Sequence, residues 1–255
     1  MADIDRVTAT VDNISFIGSD VVDMWINCGD IVDKAKCGQF INIFCKGEGS
    51  LLPRPISICR IDKENKKLRV VFRVVGKGTK EFSEYKAGDC ITIMGPLGNG
   101  FTLKDKKAII IGGGIGIPPM LELSKQLQCE KSIVLGYRDE LFLNTEFEAF
   151  GNVYISTEDG SCGTKGNVID AIKANNIEAD IIYACGPLPM LKGIKAYANE
   201  KGMEAQISME ERMACGIGAC LACVCKSKDV DEHTKVNNKR VCKDGPVFDA
   251  NEIEL

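Results

Sequence analysis

The sequence predicts a β plus α/β protein: an N-terminal antiparallel β-barrel, a parallel α/β layer, and a small C-terminal segment organised around cysteines. Three observations lead there. Up to about residue 103 the chain consists of short β-rich stretches separated by polar turns. From 104 to 205 such stretches alternate with helical ones. From 206 to 255 both periodicities fade, and four cysteines crowd into residues 215–225. The domain boundaries are therefore placed at 1–103, 104–205 and 206–255.

The barrel strands are expected at 7–11, 21–26, 39–44, 56–61, 68–75 and 90–94, with turns at 29–30, 47–49, 62–67 and 88–89. Gly95-Pro96-Leu97-Gly98-Asn99-Gly100 is the strongest punctuation in the chain, and the sequence changes character after it. The α/β layer is expected to place strands at 108–111, 132–137, 153–156 and 181–184, with helices at 118–128, 143–149, 168–174 and 189–201. No internal repeat appears, which excludes a solenoid.

A chain of 255 residues suits two compact domains and an appendage, and 45% hydrophobic with 27% charged residues can bury a sizeable core. A net charge of -4 with interspersed signs leaves no electrostatic footprint for nucleic acid or an anionic membrane. No stretch approaches the roughly 20 apolar residues of a spanning helix. The N-terminus MADIDRVTAT carries charges where a signal peptide needs an apolar core, so a cytoplasmic location is expected. In that reducing compartment the thirteen cysteines read first as metal ligands or redox groups.

Their spacing is informative. Cys215, Cys220 and Cys223, followed by Cys242, match the plant-type 2Fe-2S arrangement of three close cysteines and one distant one. Gly216 and Gly218 allow backbone angles that turn N–H groups inward toward sulfur, and Asp244-Gly245-Pro246 would turn the fourth ligand's segment back to the loop. The alternative is structural zinc. Zinc motifs usually pair two short knuckles, whereas only one such pair exists here. Cys225 reads as a buried thiol, and Cys28, Cys37, Cys45, Cys59, Cys90, Cys129 and Cys162 read as small hydrophobes.

Two elements in the barrel region suit phosphate. Arg54-Pro55-Ile56-Ser57 sets a guanidinium and a hydroxyl at a turn entering a strand. Arg73 is followed by Gly76, Gly78 and Thr79, whose N–H groups and hydroxyl can line an anion. Alone, the first motif is equally an ordinary turn; two such elements on one barrel point to a dinucleotide. In the second domain Gly112, Gly113, Gly114 and Gly116 run from a strand into a helix start at Pro118-Pro119, where a pyrophosphate can meet helix N–H groups. This departs from the G-x-G-x-x-G fingerprint. Cys185-Gly186-Pro187 ends a second strand, and both ends should open on one cleft. Asp139 and Glu140, after a third strand, would accept from a ribose hydroxyl and favour NADH, or would simply start the next helix.

In this order, Arg54 to Ser57, Gly78-Thr79, Gly112 to Gly116, Cys185 to Pro187 and the cysteine loop resemble the ferredoxin-NADP reductase superfamily over nearly the whole chain. Within it, the stretches from Met209 to Cys220 and from Arg240 to Phe248 resemble the electron-transfer subunits of class 1B dihydroorotate dehydrogenases. The resemblance implies an oxidoreductase subunit with FAD on Arg54, Pro55, Ile56, Ser57, Val71, Phe72, Arg73, Gly78 and Thr79. It implies NAD near Gly112, Gly113, Gly114, Gly116, Cys185, Gly186 and Pro187, and a 2Fe-2S cluster on Cys215, Cys220, Cys223 and Cys242. By the same likeness Ser57 lies near the flavin ring and Cys185 beside the nicotinamide, as positioning residues. The implied partner is an FMN-containing catalytic subunit that oxidises dihydroorotate in pyrimidine biosynthesis, in a heterotetramer. No dihydroorotate pocket is legible, and the single histidine, His233, sits in a polar tail, which agrees with a relay. Two other classes are a reductase subunit of a sulfide- or ferredoxin-coupled bifurcating NAD(P)H enzyme and a zinc-stabilised binding module. The all-cysteine loop favours the relay over both.

Overall fold

The computed structural model describes residues 5–47, 51–230 and 235–255. Part of the turn expected at 47–49, and His233, lie outside the described residues.

Six strands close the barrel: β1 (Asp5–Phe16), β2 (Val21–Asn27), β3 (Phe40–Phe44), β4 (Arg54–Asp62), β5 (Lys67–Arg73) and β6 (Cys90–Leu97), in the order β1-β2-β5-β4-β3-β6 and antiparallel throughout. Alternation along the strands sends Val22, Met24, Ile41, Ile43, Val70, Phe72, Ile91 and Ile93 into the barrel interior. Their neighbours Val21, Phe40, Cys59 and Val71 face outward and are buried by the rest of the chain. Between β5 and β6 lies a short helix, α1 (Lys77–Ser83), where the sequence reading placed only a glycine-rich loop.

The second unit is a seven-stranded sheet in the order β10-β9-β8-β7-β11-β12-β15. Its strands are β7 (Ala108–Gly113), β8 (Lys131–Tyr137), β9 (Asn152–Thr157), β10 (Thr164–Lys165), β11 (Ile181–Cys185), β12 (Glu204–Ser208) and β15 (Val247–Asp249). All neighbouring pairs are parallel except β12 with β15. Helices α2 (Pro118–Gln126) and α3 (Asn144–Phe147) cover one face; α4 (Val168–Ala174) and α5 (Leu188–Lys201) cover the other. Period two explains the split: Ile109, Ile111, Ile182 and Ala184 pack on α4 and α5, while Ile110, Ile133, Leu135 and Tyr183 pack on α2 and the barrel. The expected helix over 143–149 is a single turn, and strand structure continues past residue 206.

The C-terminal segment adds the small hairpin β13 (Val224–Lys226) with β14 (Asn238–Arg240), and its β15 becomes an edge strand of the sheet. The linker after the barrel is itself a docking surface. Asn99 donates from its backbone N–H to Gly245 and from its side chain to the carbonyls of Lys243 and Asp244, at 2.6, 3.1 and 3.0 Å.

Charge joins the barrel to the sheet. Arg69, 7% exposed, forks onto Asp23 of β2 at 2.8 and 2.8 Å and onto Glu146 of α3 at 2.6 and 2.8 Å. Glu122 of α2, 2% exposed, accepts from the Ile61 N–H at 2.9 Å beside a bulge in β4, and pairs with Arg60 at 3.4 Å.

Candidate functional site

On the barrel, β4 begins at Arg54 and β5 runs into α1, so the two expected phosphate elements arrive side by side. The Arg54 side chain lies across Gly78: a Cβ there would fall 2.6 Å from its Nε, so any other residue would push the guanidinium away. Thr79 is committed locally. Its hydroxyl oxygen accepts from the N–H groups of Val75 and Gly76 at 3.0 and 3.2 Å, which fixes the start of α1. Lys77, Gly78 and Thr79 form the first turn of this helix, where backbone N–H groups lack acceptors four residues earlier within the helix. Pro55, Ile56 and Ser57 are half-buried in β4, Val71 is buried against the sheet domain, and Arg73 is exposed and pairs with Asp20 at 3.2 Å. Phe72 points into the barrel and meets Phe82 edge-on, so a cofactor could touch it only through its backbone. The exposed side chains Leu52 and Val75 give this cradle an apolar rim. The Arg54 guanidinium, held at the Leu52 carbonyl at 2.5 Å beside the start of α1, and the apolar rim fit the pyrophosphate and ring system of a flavin dinucleotide.

At the carboxyl edge of the sheet, Gly112 pairs with Cys185, and Cys185 with Ser208. The turn after β7 packs on the turn after β11 so closely that a Cβ on Gly116 would lie 2.4 Å from the Cys185 carbonyl and 2.6 Å from the Gly186 nitrogen. A Cβ on Gly113 or Gly186 would meet Met190. Gly114 has φ +51° with open space around it. Both strand ends thus meet at one edge of the sheet, their glycines packed against each other and Gly114 bordering open space. The Cys185 thiol is pushed up to about 12 by burial, with the Glu210 carboxylate adding to the rise and the Ser208 hydroxyl opposing it. It stays neutral at physiological pH. Ser208 and Glu210, beside Cys185, were not singled out from sequence. The same holds for the turn after β9, where the Thr157 hydroxyl holds the Cys162 backbone at 2.9 and 3.1 Å. The repeated Gly-x-x-Gly of 160–166 was its only signal.

Of the two acidic residues after β8, Glu140 is taken by the barrel: Ser19 donates from its N–H at 3.0 Å and from its hydroxyl at 2.8 Å. These bonds hold its carboxyl below the usual range. Asp139 pairs with Arg138 at 3.6 Å and accepts from the Glu140 N–H at 2.8 Å.

The four predicted ligands come together in two pairs. Gly216 and Gly218 have φ of +71° and +82°, the left-handed turns expected from sequence. The loop thereby points its N–H groups at sulfur. Ile217 and Ala219 donate to Cys215 Sγ at 3.4 and 3.3 Å, Gly218 to Cys242 Sγ at 3.1 Å, and Cys242 N–H to Cys223 Sγ at 3.4 Å. Burial opposes charge on Cys215, but the Ile217 N–H, the Cys220 side chain and the N–H groups of Cys220 and Ala219 outweigh it and bring the thiol to about 7. In the second pair Cys242 donates to Cys223, which falls to about 6 despite burial, and the shared proton raises Cys242. Sulfurs grouped two by two and lined with N–H donors fit a two-iron cluster, in which each iron takes two thiolates. Cys225 is buried, bonds to the Lys239 carbonyl and is raised to about 11 by burial. Cys28, Cys37 and Cys59 are buried as expected, whereas Cys90, at the solvent end of β6, is exposed.

Comparisons with known proteins agree with this geometry. Residues 210–254 match the family described as the iron-sulfur cluster binding domain of dihydroorotate dehydrogenase B. The dihydroorotate dehydrogenase B (NAD(+)) electron transfer subunit of Fusobacterium nucleatum is 44% identical over 96% of this chain and 97% of its own length. That of Caldanaerobacter subterraneus is 46% identical over 86% of this chain and 87% of its own. Among solved structures, the NADH-dependent reduced ferredoxin-NADP oxidoreductase studied for flavin-based electron bifurcation superposes with a TM-score of 0.86 at 31% identity, over 96% of this chain and 89% of the other. The higher identity at full length lies with the first group, and the chain belongs to the family of dihydroorotate dehydrogenase B electron transfer subunits.

Proposed function

We propose that this chain relays electrons from a dihydroorotate-oxidising, FMN-bearing partner subunit through a 2Fe-2S cluster and FAD to NAD+, in pyrimidine biosynthesis. The observation that carries the reading is the arrangement of three cradles on one rigid frame: two on the barrel and sheet for dinucleotides, and between the barrel and β15 a cysteine loop with inward N–H donors. When bound, FAD exchanges a hydride with nicotinamide and single electrons with the cluster.

The chain's own residues position and shield. Arg54 and the first turn of α1 hold the flavin pyrophosphate; Ser57, on the same half-buried face of β4 as Pro55, lies beside the ring. Gly112, Gly113, Gly114, Gly116, Gly186 and Pro187 shape the nicotinamide dinucleotide cleft, and Cys185, with Ser208 and Glu210, closes its inner end. A neutral thiol at that position excludes water without adding charge. Cys215, Cys220, Cys223 and Cys242 hold the cluster, and Asp139 is left as the acceptor for a ribose hydroxyl.

The partner's recognition belongs to the cluster side, where Ile217 and Leu221 are exposed beside the ligands. Among the described residues no helix is long and apolar enough to cross a membrane, and a cytoplasmic location, expected from the cysteine-rich composition, is part of this reading. Co-expression with a dihydroorotate-oxidising flavoprotein tests the reading. The expected result is a co-eluting heterotetramer that reduces NAD+ with dihydroorotate, losing turnover but keeping flavin when Ser57 or Cys185 is replaced by alanine. A complex that reduces NAD+ only with reduced ferredoxin or sulfide would favour a bifurcating reductase subunit instead.

A further inference from the structure

Asn42 is an anomaly in the barrel. It lies at the middle of β3, is fully buried, and its side-chain Oδ1 has no hydrogen-bond partner. An unsatisfied amide oxygen is costly to bury, and an apolar residue would be the ordinary choice at such a position. Its cross-strand neighbours are Pro55 on β4 and Met94 on β6, and Phe40, two residues earlier, pairs with Ser57. Residues paired across antiparallel strands share a face. Asn42 therefore stands on the same outer face as Pro55 and Ser57, the strand assigned to the flavin.

Its Nδ2 donates to the carbonyl of Cys215, the first cluster ligand, at 3.4 Å. The contact is specific in shape as well as polarity. A Cβ on residue 216 would fall 2.2 Å from Asn42 Nδ2, so the glycine that follows Cys215 is required by the amide as much as by its own φ of +71°. Phe40, Leu97 and Met94 around Asn42 pack in one cluster with Cys223 and Cys242. The amide is thus a polar contact through which β3, the neighbour of the flavin strand, holds the cluster loop.

We propose that Asn42 is a positioning residue for electron transfer: its amide fixes the Cys215 loop against β3, the strand paired with the flavin-binding β4, and its N–H dipole favours the reduced cluster. This rests on the relay reading above. The side chain moves no proton and donates no electron; it sets where the loop sits and how well added negative charge is tolerated there. Removing the donor should lower the cluster's reduction potential, and replacing the amide by a carboxylate should lower it further.

The test uses the full chain, purified anaerobically, with Asn42→Ala, Asn42→Ser and Asn42→Asp compared to the native sequence by EPR-monitored redox titration and iron and flavin content. Native protein that holds no cluster would overturn the relay reading, and this proposal with it. With the cluster present, Asn42→Ala should weaken cluster reduction about fivefold, the weight of one typical net hydrogen bond, which at about 59 mV per tenfold for one electron is about 40 mV. Asn42→Asp should shift it further down, Asn42→Ser should lie between Asn42→Ala and native, and the flavin potential should stay unchanged. Iron-replete variants with native potentials would overturn the proposal. Loss of iron from all three would overturn it too, by making Asn42 a packing residue.

Discussion

The barrel is joined to its two neighbours by chemically different seams. Toward the nucleotide-binding sheet the seam is charged: Arg69 with Asp23 and Glu146, Glu122 with Arg60, and Glu140 with Ser19. Toward the cluster segment it is neutral: Asn42 on Cys215, Asn99 on Lys243 and Asp244, and the Phe40 and Leu97 side chains packed with Cys223 and Cys242. The difference teaches what each joint must tolerate. The barrel meets the cluster loop through neutral dipoles, while the ions nearest the ligands, Arg240 paired with Asp244 at 3.1 Å and reaching the Gly218 carbonyl at 3.5 Å, belong to the cluster segment itself. A dinucleotide cleft gains from a geometrically exact interdomain angle, which forked ion pairs supply.

Breaking the neutral seam at its centre should have the largest effect. Cys223→Ser removes one ligand of the buried pair and should abolish the iron-sulfur absorbance while flavin absorbance persists, read from the visible spectrum and iron assay. Full iron content in that variant would place the cluster elsewhere. The charged seam comes next. Arg69→Met leaves two carboxylates facing each other across the joint and should cost about 3 kcal/mol, the lower end for breaking a buried pair because Glu146 is partly open. Thermal or urea unfolding measures it, and a cost below that of Asn99→Ala would reverse the ranking of the seams.

Asn99→Ala should cost about 1 kcal/mol, since its side chain serves two carbonyls at the edge of solvent. The same variant should release iron faster on dilution, because the segment carrying Cys242 loosens. The smallest effect belongs to Glu140. Its folded-state pKa lies below the ordinary value of 4.5, so its contribution is present above that value and is lost as pH falls through the folded pKa. Glu140→Gln should lower Tm slightly at neutral pH and converge with the native protein in acid, so that the acid limb of the Tm against pH curve flattens. An unaltered acid limb would show that Ser19 gives the carboxylate no advantage over water.

Much of this was legible in the chain because it depends on residue type at fixed spacing. The convergence of Cys215, Cys220, Cys223 and Cys242, the left-handed glycines between the first two, and the strand-turn-helix at Gly112 read directly, since spacing and residue type set that geometry. The barrel and parallel sheet followed from period-two runs, and α5 from its length. What did not read is what depends on contact between distant segments. Glu140 gave a nucleotide signal in sequence, yet 121 positions away Ser19 claims its carboxylate. The glycine-rich loop at 76–79 is the start of a helix because Thr79 caps it, a bond visible only once Val75 and Gly76 are placed. Asn42, in the run Phe40-Ile41-Asn42-Ile43-Phe44, gave one polar residue in an apolar strand. That was its whole signal, and its meaning lay in Cys215, 173 positions on. The edge strand β15 is three residues long, too short for periodicity to mark it.

The most direct test of the relay is one anaerobic preparation of the full chain, with its visible spectrum recorded before and after NADH and iron, sulfide, zinc and released flavin assayed on the same sample. The account predicts one FAD and two irons per chain, with both flavin and iron-sulfur bands bleached by NADH. A colourless protein holding zinc and no flavin, with cofactor loss during purification excluded, would contradict it.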